Sequence, residues 1–216
     1  MTINVSTNLS DNNSDRFNLS LKNTFDEFRN VNQLTVDQFT QNKSNTFNNS
    51  IRVSFVEPLW NNKNMLETAL QLRANQRTSE RNQYIKDENN LYNVLDSAYS
   101  NNFSNLFLSQ ILELNYRYTE KDYNLTLGLK AEPSQTKSET LYGDGSDRIH
   151  NISVFNFAPN ARFQYNFTRK TFLRIDYRGR TEQPSINQMQ PVKNNSNLMN
   201  ETIGNPNLNP SFNNQL

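Results

Sequence analysis

The chain has 216 residues, no cysteine, one histidine and 22 Lys+Arg against 21 Asp+Glu; only 34% of residues are hydrophobic, and 39 are asparagine. That length fits one ordinary domain, but the low apolar content excludes a large two-sided core, while aromatics at 11% argue against disorder. Without cysteine there is no disulfide framework, thiolate metal site or cysteine nucleophile, and the near-zero net charge lacks the electrostatic footprint of a nucleic-acid binder.

The elements expected along the chain are strands. Ile3, Val5 and Leu9 mark a strand over about 2–10, and Phe17, Leu19 and Leu21 one over about 16–28. Ile51, Val53 and Phe55 alternate with Ser50, Arg52 and Ser54 (about 47–58), and Leu66, Leu70, Leu72 and Ala74 alternate with Glu67, Gln71, Arg73 and Asn75 (about 65–77). The clearest case is about 106–119, with Leu106, Leu108, Gln110, Leu112, Leu114, Tyr116 and Tyr118 on one parity and Phe107, Ser109, Ile111, Glu113, Asn115 and Arg117 on the other. Tyr123, Leu125, Leu127, Leu129 and Ala131 continue it over about 123–133. The last two strands are about 151–168 (Phe155, Phe157, Ala161, Phe163, Tyr165, Phe167) and about 171–182 (Leu173, Ile175, Tyr177). Strict period-two alternation is the signature of a strand with one apolar face, and several of these runs reach the ~9–11 residues needed to cross a tilted bilayer.

The connections alternate in length. Short links at Ser10–Asp15, Trp60–Asn64, Glu120–Asp122 and Arg169–Lys170 are interleaved with long polar stretches at about 30–45, 78–105, 134–150 and 183–216. Short turns at one end and long loops at the other are the pattern of outer-membrane barrels. Trp60, Tyr116, Tyr118, Tyr123, Phe167 and Phe172 beside the short turns, with Phe155 and Phe157 near a long-loop end, read as two aromatic girdles. The expected fold is therefore all-β: an antiparallel up-and-down transmembrane β-barrel of about eight strands, with outer-membrane lipid against its apolar face. No apolar run approaches the ~18 residues of a membrane-spanning helix. Nor does Met1–Val5 have the basic and apolar regions of a signal peptide, so the chain reads as cytosolic or as lacking its true N-terminus.

Arg162, Arg174, Asp176, Arg178 and Arg180 lie on the polar parity and are the lumen-facing candidates. They form either a charged wall that orders a plug or guides a polar solute, or a solvated face with cross-strand ion pairs; in a barrel both can hold. His150, at a loop–strand junction with no metal-ligand companions, reads as an ordinary loop residue, and Asp144-Gly145-Ser146-Asp147 as an acidic turn rather than a calcium loop. The dozen or so Asn-x-Ser/Thr triplets follow from an asparagine-rich alternating strand pattern. No nucleophile–base pair, phosphate-cradling loop or paired catalytic carboxylates stand out, so neither an enzyme nor a cofactor site is expected.

The stretch Asp176-Tyr177-Arg178-Gly179-Arg180-Thr181-Glu182-Gln183-Pro184-Ser185-Ile186-Asn187-Gln188-Met189-Gln190-Pro191-Val192 resembles a recurrent segment of Gram-negative barrels in the TonB-dependent receptor superfamily. Gly204-Asn205-Pro206-Asn207-Leu208-Asn209-Pro210 is similar to the "GNP-x-L-x-P" segment that follows it there, and Phe157–Tyr165 fits the preceding strand. The resemblance covers the last third of the chain. It implies a large plugged barrel that imports a bulky nutrient. Its implied partners are a plug domain, a TonB-type energy-coupling complex and a surface lipoprotein. Two features depart from the family: Ser211 stands where an acidic residue is common, and no plug or energy-coupling box is visible. The chain also ends at Asn213–Leu216, inside what should be a loop, as expected of an internal fragment. Gln183, Asn187, Gln190 and Asn205 are the loop candidates for ligand contact, since loops on a rigid scaffold carry recognition. The rival readings are a stand-alone small barrel with a structural or adhesion role, and a soluble carbohydrate-binding sandwich.

Overall fold

The computed structural model describes residues 1–25, 27, 31–142, 147–191, 193–194 and 202–216. Its strands are β1 (Thr2–Phe25), β2 (Val31–Pro58), β3 (Asn64–Lys86), β4 (Tyr92–Leu95), β5 (Asn101–Thr119), β6 (Tyr123–Tyr142), β7 (Asp147–Asn166), β8 (Phe172–Glu182), β9 (Lys193–Asn194), β10 (Thr202–Ile203) and β11 (Ser211–Gln215). A one-turn helix, α1 (Ile186–Met189), and a 3₁₀ turn (Ser97–Tyr99) complete them. Eight strands pair antiparallel in the order β1-β2-β3-β5-β6-β7-β8-β11 and curl into a half-barrel, with β4 added to the tip of β3 and β9–β10 forming a separate ribbon.

Register turns the one-dimensional alternation into a two-sided wall. Val53, Leu70, Leu112, Ala131 and Phe157 are linked pair by pair in one row, and Phe55, Thr68, Leu114, Leu129 and Pro159 in the next. All lie on the convex side, where Leu112 is 55% exposed. Tyr118 stacks on Tyr123 and Tyr165 meets Phe167 edge-on at the short-turn end, which puts an aromatic rim there. From that rim the apolar rows continue for about ten residues, a height of ~25 Å at the usual rise and tilt. The concave side holds the small core of Phe103, Phe107, Ile111, Ala69, Ala158 and Met189, alongside buried Gln38, Gln83, Asn105, Ser134 and Ser138.

The strands are much longer than expected, and three of the four long loops shrink accordingly. The expected strands 2–10 and 16–28, with their link Ser10–Asp15, form the single strand β1. Residues 31–45 belong to β2, 78–86 to β3, 101–105 to β5, 134–142 to β6 and 147–150 to β7. His150 thus lies within β7 opposite Ser138, not in a loop. Phe155 and Phe157 sit mid-strand, within the apolar band rather than beside a loop. Residues 143–146, which hold most of the expected acidic turn, lie outside the described residues, as do 26, 28–30, 192 and 195–201. The physical reason for the misreading is the same throughout. Above the lipid both faces of a strand meet water, so Asp11, Asn13 and Asp15 on β1 or Lys43 and Asn45 on β2 replace the apolar parity, and the alternation vanishes while the backbone ladder continues.

The upper wall has its own fastenings. Phe17, Phe39, Tyr84 and Tyr92 form an aromatic cluster on the convex side, with Phe17 and Phe39 stacked at 4.6 Å, and Lys86 pairs with Asp37 at 2.7 Å beside it. The connection from β3 to β5 starts with a tight turn in which the Asp87 carboxylate accepts backbone N–H bonds from Asn89 and Leu91 and a side-chain bond from Asn93. The bond from Leu91 is the largest reason that this carboxyl sits below its ordinary range. Asn90 takes the left-handed φ of 61° that the turn requires, a conformation asparagine tolerates.

At the other end of the sheet, residues 211–215 do not continue a loop. They form β11 against β8, and the Phe212 ring lies over Gly179, where an added Cβ would come within 2.6 Å of it.

Candidate lumen site

The concave face carries two polar regions. The lower one is a basin of about 880 Å³ over β3, β5–β8 and β11, bordered by seven basic residues (Arg73, Arg117, Lys130, Arg162, Arg174, Arg178, Arg180) and four acidic ones (Glu67, Glu113, Glu132, Asp176). Its best-organised carboxylate is Glu113, almost fully buried, which pairs with Arg52 at 2.7 Å and Lys130 at 3.0 Å, while Arg52 also reaches Glu67 at 3.2 Å. Arg162 pairs with Asp176 across β7–β8, Arg180 with Glu182 at 2.5 Å along β8, and Arg174 donates twice to Gln164 Oε1. With the acidic residues all engaged, the basin keeps a basic excess.

The upper region is a chamber of about 740 Å³ between the upper concave faces of β1–β3 and an inward segment made of residues 185–191 and 202–208. That segment turns inward: Met189 is buried, and Gln190 Nε2 donates to Asn101 Oδ1 at 2.6 Å. It is built around α1, where Ser185 N and Oγ both donate to Gln188 Oε1, and it is closed by Gly204 N to Gln190 O at 3.1 Å and Asn205 N to Gln188 O at 2.7 Å. Gly204 is required by close approach: a Cβ there would lie 2.3 Å from Gln190 O, a backbone atom that cannot step aside. Amides and hydroxyls dominate the lining.

A half-barrel with a lipid-type convex band, an aromatic rim at the short-turn end and a polar concave face is the architecture of a membrane barrel wall. The sequence model of an outer membrane protein beta-barrel family matches residues 1–216. The chain belongs to that family. A comparison with curated proteins finds no match. Family membership places this barrel protein in the outer membrane and sets aside the soluble sandwich.

Within this outer-membrane barrel wall, Arg162, Arg174, Asp176, Arg178 and Arg180 come together on the concave side and border the lower basin. Asn187, Gln190 and Asn205 border the upper chamber, whereas Gln183, just after β8 and with a buried Nε2 that has no partner among the described residues, borders neither region. Sequence reasoning missed Glu113 with its two cations, and Arg16 and Arg81 in the chamber. Arg81 fell inside the stretch read as the loop 78–105. Its parity with Arg73, Arg77 and Ser79 was the available signal.

Proposed function

We propose that this outer-membrane wall is part of the barrel of a TonB-dependent receptor for nutrient uptake, supplying barrel wall, lumen lining and the extracellular loops that contact the substrate. The observation carrying the reading is that parts of the two segments resembling that superfamily, 176–192 and 204–210, turn in over the concave face through Ser185–Gln190, Gly204, Asn205 and Leu208. A loop in that place constricts the mouth of a lumen and samples what enters. The two sheet edges, β1 and β11, support a larger barrel: they do not pair with each other, and open edges carry unsatisfied backbone groups that lipid does not tolerate. In this reading further strands complete the wall, a plug domain fills the lower basin, and an inner-membrane TonB-type complex supplies energy. A surface lipoprotein is the partner expected at the extracellular mouth, and the chain performs no catalytic step. The strand count of eight favours one competitor, a stand-alone small barrel with a structural or adhesion role, which would require β1 to pair with β11.

The test is uptake by cells carrying the full-length protein, with and without a protonophore and with the energy-coupling protein deleted. Accumulation that stops in both cases supports the receptor reading. Passive, ungated permeation that is indifferent to both would refute it.

A further inference from the structure

The upper chamber contains two cations and, among its described lining residues, no acid. Arg16 on β1 pairs in register with Thr40, and Arg81 on β3 with Asn42, so both point to the concave side with β2 between them. Strand spacing and rise put their Cα atoms ~12 Å apart, a gap two guanidinium side chains can close onto one small group. Arg81 is also positioned by a buried relay. It donates to Gln83 Oε1 at 3.4 Å, and Gln83, fully buried, donates through Nε2 to Gln38 Oε1 at 2.9 Å and receives its own backbone fixation from Ser100 Oγ. Arg81 Nε is buried and finds no hydrogen-bond partner among the described residues. Held like charges without a carboxylate are costly unless an anion joins them, and a guanidinium fork matches the paired oxygens of an oxyanion. The surrounding Ser14, Asn18, Thr40, Asn42, Asn187 and Gln188 offer neutral donors and acceptors to the rest of such a molecule.

From this geometry we infer that the chamber is an anion-recognition site, in which Arg81 and Arg16 bind a carboxylate or phosphate group of a polar solute entering beneath residues 185–191 and 202–208. The basic excess of the lower basin extends the same preference along the lumen. This inference rests on the receptor reading for its physiological meaning, but binding can be measured without transport.

The experiment is calorimetric titration of the full-length protein in detergent micelles with citrate, inorganic pyrophosphate and, as a neutral probe, sucrose. Binding of citrate or pyrophosphate that weakens with salt, is absent for sucrose and falls about tenfold to a hundredfold in Arg81→Gln and Arg16→Gln is the expected result. The stronger of the two anions identifies the oxyanion. Arg16 is exposed, so Arg16→Gln preserves the fold, as far-UV circular dichroism would verify; Lys43→Gln on the outer wall should change nothing. Unchanged binding in both arginine variants, no binding of either anion to natively folded protein, or loss confined to Arg174→Gln and Arg178→Gln would overturn the assignment. Anion binding that persists in a protein without energised uptake would refute the receptor reading and leave this site standing.

Discussion

Replacing Leu112 with arginine tests the facing and the depth of the wall together. Leu112 lies six residues above Tyr118 on β5, ~20 Å along the strand and ~15 Å along the membrane normal at a 40° tilt. The apolar band is ~25 Å tall, so this places the side chain near its midplane, flanked by Leu70 and Ala131. An arginine there costs about 2–4 kcal/mol, a factor of roughly 30 to 1,000 in the assembled fraction. Leu141 also faces outward and is similarly exposed, but it sits on the upper wall opposite Asp147 and Asn102, where water replaces lipid. Arginine at Leu141 should cost only about 0–1 kcal/mol. Both variants of the full-length protein would be unfolded by denaturant in lipid vesicles and compared with the parent. Equal midpoints for Leu112→Arg and the parent, or a larger loss at Leu141 than at Leu112, would refute the assignment of the convex face to lipid and of the band to this height.

Other perturbations probe the lumen, its roof and the turns. Gly204→Ala should separate residues 202–208 from 185–191, because its Cβ meets the Gln190 backbone, so these residues become more protease-sensitive while barrel stability changes by less than about 0.5 kcal/mol. Glu113→Gln removes the shared partner of Arg52 and Lys130 and should destabilise the wall by about 1–3 kcal/mol in the same denaturant assay; a neutral result would mean the two cations are satisfied by solvent. At the short-turn end, the carboxyl of Glu120 is held below its ordinary range, first by the Lys63 ammonium at 2.7 Å and then by the Tyr118 hydroxyl. A lowered carboxyl value means the link is complete above the ordinary glutamate range and is lost as pH falls through the depressed value. Hydrogen exchange at Thr119, whose N–H donates to Lys63 O, should therefore accelerate below that value once intrinsic rates are corrected for, and Glu120→Gln should remove the effect.

How much was legible depends on what each side chain faces. Leu108, Leu112, Leu114 and Tyr116 announce β5 because lipid favours apolar residues on one parity, broken here only by Gln110, and the polar parity of Arg174, Asp176, Arg178 and Arg180 reads directly as lumen. Above the band that demand stops. Lys137 and Glu139 on the outer face of β6 look like loop residues because only backbone pairing with β5 and β7 holds them in a sheet. β11 was hidden for a related reason: among Ser211–Gln215 only Phe212 is apolar, and its partner surface is the gap left by Gly179, a contact that exists only once β8 and β11 are in register. The chamber required two registers at once, β1 on β2 and β2 on β3, which bring Arg16, Asn42 and Arg81 to one side of the sheet.

The asparagine-rich composition acquires a function in this setting. Inside the half-barrel, neutral amides and hydroxyls pair with one another: Gln83 with Gln38, Asn105 with Ser138, Gln190 with Asn101 and Gln164 with Asn166. Each such side chain both donates and accepts, so a wet concave face can be satisfied without adding charge. Where carboxylates do occur, at Glu113 or Asp176, cations neutralise them at contact distance. In the chamber such a lining adds almost no field of its own, so Arg16 and Arg81 set the sign of the potential there, and the basic excess of the lower basin carries the same sign along the lumen, although the chain as a whole is almost electrically neutral.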